Sequence, residues 1–157
     1  MDTQVTVRTT CRVCGSSNLT PLFSLGEQYV SDFVDKKDIH NGIKAPLDLE
    51  QCNDCTLVQL KHTAPQELLY KRHYWYRSGV TQTMRDALKD VVVCAVMRSE
   101  LEDGDVVLDI GSNDGTLLQN YDPHLVRVGV EPAENMRQYY DEDIYLHSDF
   151  WGAEGLA

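Results

Sequence analysis

The chain has no long apolar run and few positive charges, and both deficits exclude classes of function. Its 157 residues include 14 Lys and Arg against 25 Asp and Glu, which gives a formal net charge of −11 at pH 7. The longest apolar run, Val91–Met97, is far shorter than the roughly 18 to 20 residues that a membrane-spanning helix needs. No cluster of basic and aromatic residues offsets the negative charge, so we expect neither nucleic acid nor a membrane as a partner.

The N-terminal segment lacks the apolar stretch of a secretory signal. Residues 1–10 alternate polar and β-branched side chains, so we expect the protein in a reducing cytoplasm. Disulfides are not expected in that compartment, and the cysteines are therefore interpreted first as metal ligands. The length allows one domain of ordinary size, or a small domain joined to part of another, and excludes two complete catalytic domains.

Four of the five cysteines form two C-x2-C pairs, Cys11 with Cys14 and Cys52 with Cys55. Each pair turns two sulfurs toward one point, and two pairs together supply the four thiolates of a tetrahedral structural zinc site. The alternatives are iron in the same geometry, a redox pair and unliganded buried cysteines. With four protein sulfurs and no open position, a zinc ion here would be structural rather than catalytic.

A zinc ion would also supply stability that this segment lacks. The segment with both pairs is shorter than the roughly 70 to 80 residues that usually stabilise themselves by core burial alone. Structural zinc contributes on the order of 10 to 16 kcal/mol to folding in small domains. Gly15 suits the tight turn after the first pair, and Thr56 suits the equivalent place in the second pair less well. Cys94 lies in the apolar run and is interpreted as a small core residue without a role.

By pattern the chain divides into three parts. Residues 1–62 alternate short strands and turns, which is typical of a small β-rich zinc-binding domain. Residues 63–103 form a helical connector, and its main helix is predicted over Thr81–Leu101 because apolar residues recur at three- and four-residue spacing. Residues 104–157 follow the order strand, turn, helix, strand of a parallel α/β sheet. The predicted strands are Val106–Ile110, Leu125–Val130 and Ile144–Phe150, and the predicted helices are Thr116–Asn120 and Ala133–Tyr140.

The turn after the first of these strands has the composition of a cofactor-binding loop. Asp109 lies near the end of the strand, and Gly111 and Gly115 flank a crossover where a ligand can approach the backbone closely. Glu131 follows the next strand, where a carboxylate can accept hydrogen bonds from both hydroxyls of a ribose. Asn113 replaces the second glycine of the dinucleotide pattern, so S-adenosylmethionine, with a ribose and no phosphate, fits better. The alternative is an ordinary turn followed by a solvated glutamate.

Residues 70–79 form an aromatic segment between the two motifs. It contains four aromatic residues, Tyr70, Tyr74, Trp75 and Tyr76, together with Arg77. Such segments either stack on a substrate or join two domains, and composition slightly favours the second. A tyrosine hydroxyl beside an arginine can act as an acid or base, and the arginine can pair with a phosphate of an anionic substrate.

Together these motifs closely resemble those of the deoxysugar C-methyltransferases. The resemblance implies an N-terminal zinc-binding domain, a central Rossmann-like S-adenosylmethionine domain, and a C-terminal domain that completes the site for a nucleotide-linked keto-sugar. In that family a carbon next to the sugar ketone is deprotonated, and the enolate takes the methyl group. The implied fold class is α/β, a small β-rich zinc-binding domain followed by the first part of a Rossmann-like sheet. The similar segments are Cys11–Gly15, Leu25–Gly26, Pro46–Leu49, Cys52–Leu60, Tyr74–Gly79 and Leu108–Leu118.

The resemblance also implies a role for individual residues. Tyr76 would face the sugar as an acid or base, and Tyr74 is the weaker candidate for that role. The implied zinc ligands are Cys11, Cys14, Cys52 and Cys55. The implied cofactor residues are Asp109, Gly111, Ser112, Asn113, Asp114, Gly115 and Glu131.

Members of that family are more than twice this long, and their Glu-His pair and adjoining substrate domain have no counterpart in these 157 residues. We therefore expect an N-terminal portion that is inactive alone, which a separately encoded C-terminal half could complete. In the sheet order 3-2-1-4 of this fold, the strand Val106–Ile110 would be an exposed edge, so we expect the isolated chain to associate or partly unfold in its second half. The alternative functions are a zinc-ribbon interaction module with a residual Rossmann half, and a methyltransferase for another class of substrate.

Overall fold

The computed structural model describes residues 5–30, 35–71 and 74–152. By its internal contacts the chain divides into two compact units, residues 1–74 and 75–157. The boundary falls inside the aromatic segment. The division into three parts over residues 1–62, 63–103 and 104–157 stays a prediction.

The first unit is built from antiparallel strands. A three-stranded sheet has the order β2-β3-β4, and β1 pairs with β5. In the long β2-β3 ladder the register shifts between Ser24 and Glu27, where Gly26 has a φ of 72°. The far end of the same ladder pairs Leu19 with Cys52, so the sheet carries the second cysteine pair at its end. The strands are β1 (Thr6–Val7), β2 (Leu19–Tyr29), β3 (Lys44–Cys52), β4 (Val58–Leu60) and β5 (His62–Thr63).

Two short helical turns complete the described part of the first unit. A 3₁₀ helix covers Lys36–Asn41, and a single π-helical turn covers Glu67–Lys71, just after Pro65. Pro65 at a helix start, followed by residues 67–70, predicts a short helix at this second place, and the structure has a single helical turn there. Leu68, which is 3% exposed, is the side chain that this turn buries.

Over residues 75–152, the described part of the second unit, there is one α-helix and a three-stranded parallel sheet in the order β6-β7-β8. The helix α1 (Gln82–Val96) begins after Thr81, whose hydroxyl accepts a hydrogen bond from the backbone N–H of Met84. The strands are β6 (Val106–Ile110), β7 (Val126–Val130) and β8 (Tyr145–His147), and the 3₁₀ helices are Ser78–Val80, Leu118–Asn120 and Glu134–Tyr139.

Strands of the second unit follow the sequence prediction more closely than its helices do. β6 has the predicted bounds, β7 begins one residue later and β8 is shorter at both ends. The predicted helices at Thr116–Asn120 and Ala133–Tyr140 are 3₁₀ turns instead, because such short segments form too few hydrogen bonds to offset the cost of starting an α-helix.

Only one side of α1 is buried, which corrects the sequence prediction for Cys94. Val92 is 4% exposed, whereas the neighbouring Val91 and Val93 are 53% and 47% exposed. Cys94 is exposed too and is not a core residue. The helix also ends at Val96, five residues before the predicted end.

β6 lies at the edge of the parallel sheet. Among the described residues its one pairing partner is β7. Val106, Leu108 and Ile110 lie on one face of the strand and are 63%, 44% and 52% exposed. The strand therefore presents an unpaired row of backbone groups together with an apolar face.

None of the helices in the described ranges combines the length and the apolar character that crossing a bilayer requires.

Candidate metal centre and cofactor site

Both C-x2-C pairs close with the same backbone turn. The N–H of Gly15 donates to the carbonyl of Cys11 at 3.0 Å, and the N–H of Thr56 donates to the carbonyl of Cys52 at 2.9 Å. Both residues that follow the pairs have positive φ, 75° at Gly15 and 65° at Thr56. The two turns thus direct their sulfurs in equivalent ways, although the second contains a β-branched residue that disfavours this conformation.

The two turns bring four sulfurs together. All four Sγ atoms lie within 4.8 Å of one another. The Sγ atoms of Cys11 and Cys55 are 3.5 Å apart, and those of Cys14 and Cys52 are 3.6 Å apart. Tetrahedral zinc with Zn–S bonds of about 2.3 Å separates its sulfurs by about 3.8 Å, so the cluster fits this ion with little rearrangement.

Electrostatics within the cluster also favour a cation. Backbone N–H groups, above all that of Cys14, lower the pKa of the Cys11 thiol to about 6. The N–H of Ser16 lowers the pKa of Cys14 as well, but the sulfur of Cys55 and other raising influences outweigh it and bring that pKa to about 12. One thiol therefore ionises readily while its neighbour resists. A divalent cation removes this conflict because it stabilises every thiolate at once.

Polar side chains tie the two turns to each other. Asp54 lies between the cysteines of the second pair and accepts hydrogen bonds from the Ser16 hydroxyl at 2.5 Å and from Asn18 Nδ2 at 3.0 Å. These bonds lower the pKa of the Asp54 carboxyl. Asn53 donates from its backbone to the carbonyl of Asn18 at 2.9 Å. The cluster is therefore held by bonds between the turns as well as by its sulfurs.

Gln59 is a supporting residue that sequence reasoning missed. It is 5% exposed, and its Oε1 accepts a hydrogen bond from the backbone N–H of Arg12, between the first two cysteines, at 2.8 Å. Its Nε2 donates to Oε1 of the buried Glu50 at 2.7 Å. Gln59 thus fixes the backbone of the first turn from β4. Gln59 is a polar residue between the apolar Val58 and Leu60, and this is the one signal in the sequence that could have indicated its role.

The second candidate site lies at the carboxyl end of the parallel sheet. The backbone N–H groups of Gly111 and Ser112 both donate to the carbonyl of Val130, at 2.8 and 3.1 Å. Gly111 has a φ of 76°, and a Cβ placed on it would meet open space. The structure therefore brings the loop that follows β6 beside the end of β7 and leaves its backbone accessible at Gly111.

Glu131 is buried at that end of β7, with 4% exposure. Its Oε2 accepts from the backbone N–H of Asn113, and its Oε1 accepts from that of Ala133, each at 2.9 Å. Burial raises the pKa of Glu131 and the nearby charge of Asp109 adds to the rise, while the two N–H groups oppose it. Each oxygen keeps a further lone pair for another donor.

Asp109 is the less satisfied of the two carboxylates. It is half-buried near the end of β6, and burial raises its pKa. Within the described ranges its carboxylate has no hydrogen-bond or ion-pair partner. A desolvated carboxylate without a partner costs stability, which is common at ligand-binding sites.

Ser112 and Gly115 contact a tyrosine that sequence reasoning also missed. The hydroxyls of Ser112 and Tyr140 are 2.6 Å apart, and burial raises the pKa of Tyr140 above its ordinary value. A Cβ at Gly115 would lie 3.2 Å from the Tyr140 ring, and one at Gly129 would lie 2.6 Å from Ser112 Oγ. Both glycines therefore leave room for the Ser112–Tyr140 pair, and the Tyr140 hydroxyl bonds the loop through Ser112.

Asn113 and Asp114 direct their side chains toward the aromatic segment. Both are buried, with 7% and 2% exposure. Asn113 Nδ2 donates to the carbonyl of Tyr76 at 2.9 Å, and its Oδ1 accepts from the N–H of Ser78 at 2.8 Å. Asp114 Oδ2 accepts from the N–H of Gly79 at 2.9 Å. Both residues of the predicted cofactor loop thus bind protein backbone through their side chains.

Tyr76 lies beside this loop and is 52% exposed. The guanidinium of Arg77 lies 3.5 Å from the ring centre of Tyr139, and its Nε lies 3.5 Å from Asp114 Oδ2. The positive charge of Arg77 therefore interacts with Tyr139 and Asp114, both in the second unit. Tyr74 lies in the first unit with its ring 6.0 Å from that of Tyr70. The acid or base role of Tyr76 and the cofactor roles of the loop stay predictions.

Comparison with known proteins bears on both sites. Residues 11–70 match a family model described as "Putative zinc binding domain". The chain is also 32% identical over 129 residues to the C-methyltransferase NovU of Streptomyces niveus. That match covers 80% of this chain and 30% of the relative. The chain thus spans less than a third of the length of the curated relative that it matches.

Proposed function

We propose that the chain serves the S-adenosylmethionine-dependent C-methylation of a nucleotide-linked keto-deoxysugar, because residues 11–70 match a family model described as "Putative zinc binding domain" and the chain is 32% identical over 129 residues to a C-methyltransferase. The observation that carries the proposal is the placement of Asp109 and Glu131 near the carboxyl ends of adjacent parallel strands, flanking an open glycine loop. Ligands of open α/β sheets bind at that end. A Rossmann-like character of the second unit is part of the proposal.

Two carboxylates of the second unit suit the cofactor. Glu131 can accept the ribose hydroxyls through lone pairs that Asn113 and Ala133 leave available. Asp109 offers an unpaired carboxylate for the ammonium of the methionine portion. The N–H groups of Gly111 and Ser112 already donate to Val130, so that portion would depend on Asp109 more than on loop amides.

Bound S-adenosylmethionine supplies the electrophilic methyl group, and the residues of this chain orient the reactants and move protons. Tyr76 is the residue that we assign to the proton on the sugar, at the carbon beside the ketone or at the ketone oxygen. Cys11, Cys14, Cys52 and Cys55 would hold a zinc ion through four sulfurs, and an ion with four protein ligands would be structural rather than catalytic. We include a cytoplasmic location in the proposal, because four reduced thiols suit a reducing compartment.

The acceptor, and any separately encoded partner chain that helps to bind it, are likewise part of the proposal. The relative is a C-methyltransferase, which supports methylation at carbon, and the assignment of a sugar as acceptor rests on the similarity of the motifs.

Calorimetric titration of the zinc-loaded chain with S-adenosylhomocysteine tests the cofactor half of the proposal. We expect one molecule bound per chain, and Glu131→Gln should weaken binding by about 10- to 100-fold because a charged acceptor is lost. Glu134→Gln changes an exposed carboxylate three residues away and should bind like the parent. Absence of binding, or equal binding by Glu131→Gln, would reject the site.

The acceptor half is tested by transfer of a labelled methyl group in the complete enzyme, in which a C-terminal half accompanies this chain, because we expect the N-terminal portion to be inactive alone. Label should enter a nucleotide-linked keto-sugar at the carbon beside the ketone, and the same sugar with the ketone reduced should stay unlabelled. Tyr76→Phe should lower turnover by about 100-fold or more and leave S-adenosylhomocysteine binding unchanged. Transfer to another class of acceptor, with none to the keto-sugar, would favour the alternative methyltransferase, and unchanged turnover would remove Tyr76 from the site.

A further inference from the structure

Asn113 connects the carboxylate proposed for the ribose to the segment that carries Tyr76. Its backbone N–H donates to Glu131 Oε2 at 2.9 Å. Its side-chain amide donates to the carbonyl of Tyr76 at 2.9 Å and accepts from the N–H of Ser78 at 2.8 Å. One residue therefore bonds both functional elements, through its backbone on one side and its side chain on the other.

A second set of contacts fixes the same segment. Asp114 Oδ2 accepts from the N–H of Gly79, and a Cβ on Gly79 would lie under 3.0 Å from Asp114 Oδ2 and Thr116 Oγ1. From α1, Arg85 Nη1 donates to the carbonyl of Gly79 at 2.5 Å and to that of Val80 at 3.2 Å. The backbone of residues 76–80 is therefore bonded to the loop on one side and to α1 on the other.

The chemistry of asparagine suits this place for two reasons. Its φ of 51° is left-handed, a conformation that asparagine tolerates better than most residues. Its amide offers a donor and an acceptor together, which match the carbonyl of Tyr76 and the N–H of Ser78. Aspartate would turn an acceptor toward the Tyr76 carbonyl, and glycine would keep the backbone and lose both bonds. Because Asn113 is 7% exposed, water cannot readily replace these bonds.

We infer that Asn113 is a positioning residue that couples binding of a ribose at Glu131 to the placement of Tyr76. A ribose that donates to Glu131 holds this carboxylate in place, and the carboxylate then holds the N–H of Asn113. The fixed loop in turn holds the Tyr76 carbonyl and the Ser78 N–H. Cofactor binding therefore fixes the backbone that carries Tyr76 before the acceptor binds. By linkage, an acceptor that fixes Tyr76 tightens cofactor binding by the same factor. This inference rests on the proposed function.

Amide hydrogen exchange, measured residue by residue with NMR, tests the coupling in the zinc-loaded chain. We expect saturating S-adenosylhomocysteine to slow exchange at Ser78 and Gly79 in the parent by about tenfold, equivalent to roughly 1.4 kcal/mol. Asn113→Gly, which keeps the left-handed backbone, should still bind the ligand but lose the added protection at Ser78. Asn113→Asp should keep the acceptor for Ser78 and lose the bond to Tyr76, so it should retain protection at Ser78 while Tyr76 becomes more mobile.

A matched control is Asn120→Asp. Asn120 Nδ2 donates to the carbonyl of Thr116 at 2.7 Å, within its own turn, so this change removes an equivalent bond that does not reach the aromatic segment. It should leave the ligand-dependent protection at Ser78 unchanged. A merely structural Asn113 would alter exchange equally with and without ligand.

The outcomes separate this inference from the proposed function. Ligand binding without added protection at Ser78 in the parent would overturn the coupling and leave the cofactor site standing. Full ligand-dependent protection in Asn113→Gly would overturn it too. If S-adenosylhomocysteine does not bind the parent at all, the proposed function and the coupling fail together.

Discussion

Thr56 occupies a backbone conformation that its side chain disfavours. Its φ is 65°, whereas Gly15 at the equivalent place in the first turn has 75°. Left-handed backbone costs an L-residue roughly 1 to 2 kcal/mol. Thr56→Gly removes this strain and also removes the exposed hydrogen bond from the Thr56 hydroxyl to the Cys55 carbonyl. The net effect should be a rise of about 1 kcal/mol in the free energy of unfolding.

Denaturant unfolding of the zinc-loaded chain measures this change. Gly15→Thr is the matched reverse substitution and should lower stability by a similar amount, because its Cβ would meet open space and strain the backbone alone. Equal or lower stability for Thr56→Gly would show that the strain is relieved elsewhere.

Cys52 is the least exposed of the four clustered cysteines, at 0%. Cys52→Ser should abolish zinc binding and unfold the first unit, since structural zinc contributes on the order of 10 kcal/mol. Native mass spectrometry should show one zinc per parent chain, and circular dichroism should show the loss of strand structure in the variant. Cys94→Ser, on the exposed side of α1, is the control and should keep both. Full zinc content in Cys52→Ser would contradict the four-sulfur site.

Asp109 should make stability depend on pH in a defined direction. Burial raises the pKa of Asp109 in the folded chain. The folded state therefore holds the Asp109 proton more tightly than the unfolded state, in which the pKa of an aspartate is about 3.9. Stability from this group is therefore present below that value and is lost as pH rises through the raised pKa. Asp109→Asn should be more stable than the parent at pH 7, with a difference that shrinks toward pH ~4.

Thermal melting at several pH values measures this effect. Asp103→Asn, at an exposed aspartate, should show no such difference. A lower melting temperature for Asp109→Asn at pH 7 would mean that the carboxylate has a stabilising partner.

How far the residues could be predicted depends on whether their partners are close in sequence. The four cysteines could be found because the two members of each C-x2-C pair are three residues apart, and a single local turn brings them together. Gln59 and Tyr140 could not, since their bonds to Arg12 and Ser112 join distant parts of the chain. Asn113 was predicted in the cofactor loop from its position, and only folding shows that its side chain bonds residues 76–78.

Among the elements, β6 was the easiest to predict and the short helices were the hardest. A run of β-branched and apolar residues between Gly104 and Gly111 defines β6 from both ends. The segment Glu134–Tyr139 has helical composition, but it is too short to offset the cost of starting an α-helix and forms a 3₁₀ helix instead. Periodicity therefore predicted where elements lie, and the length of each segment decided which kind of helix forms.

The exposed edge of β6 should make the isolated chain associate. Val106 is 63% exposed on this edge, and unpaired strand edges are common sites of aggregation. Val106→Lys should reduce association, measured by light scattering against protein concentration. Val91→Lys replaces a valine of 53% exposure on α1 and should associate like the parent. A monodisperse monomeric parent at all concentrations would contradict this prediction.

For the whole molecule, composition and motif order predicted a mixed α/β chain with a zinc-binding first part. The mixed α/β character is confirmed, and the four-cysteine cluster fits zinc binding. The parallel order β6-β7-β8 is the predicted order of the first three strands of the sheet. What could not be predicted is the boundary between the units, which falls within the aromatic segment at residue 74. That boundary depends on which contacts the folded chain forms.

The most direct test of the central claim is an amide NMR titration of the zinc-loaded chain with S-adenosylhomocysteine. The account predicts that the largest shifts fall on residues 109–115 and 131–133, with the cysteine turns at residues 11–15 and 52–56 unaffected. Shifts confined to other residues, or no shifts at saturating ligand, would contradict a cofactor site at the carboxyl end of the parallel sheet.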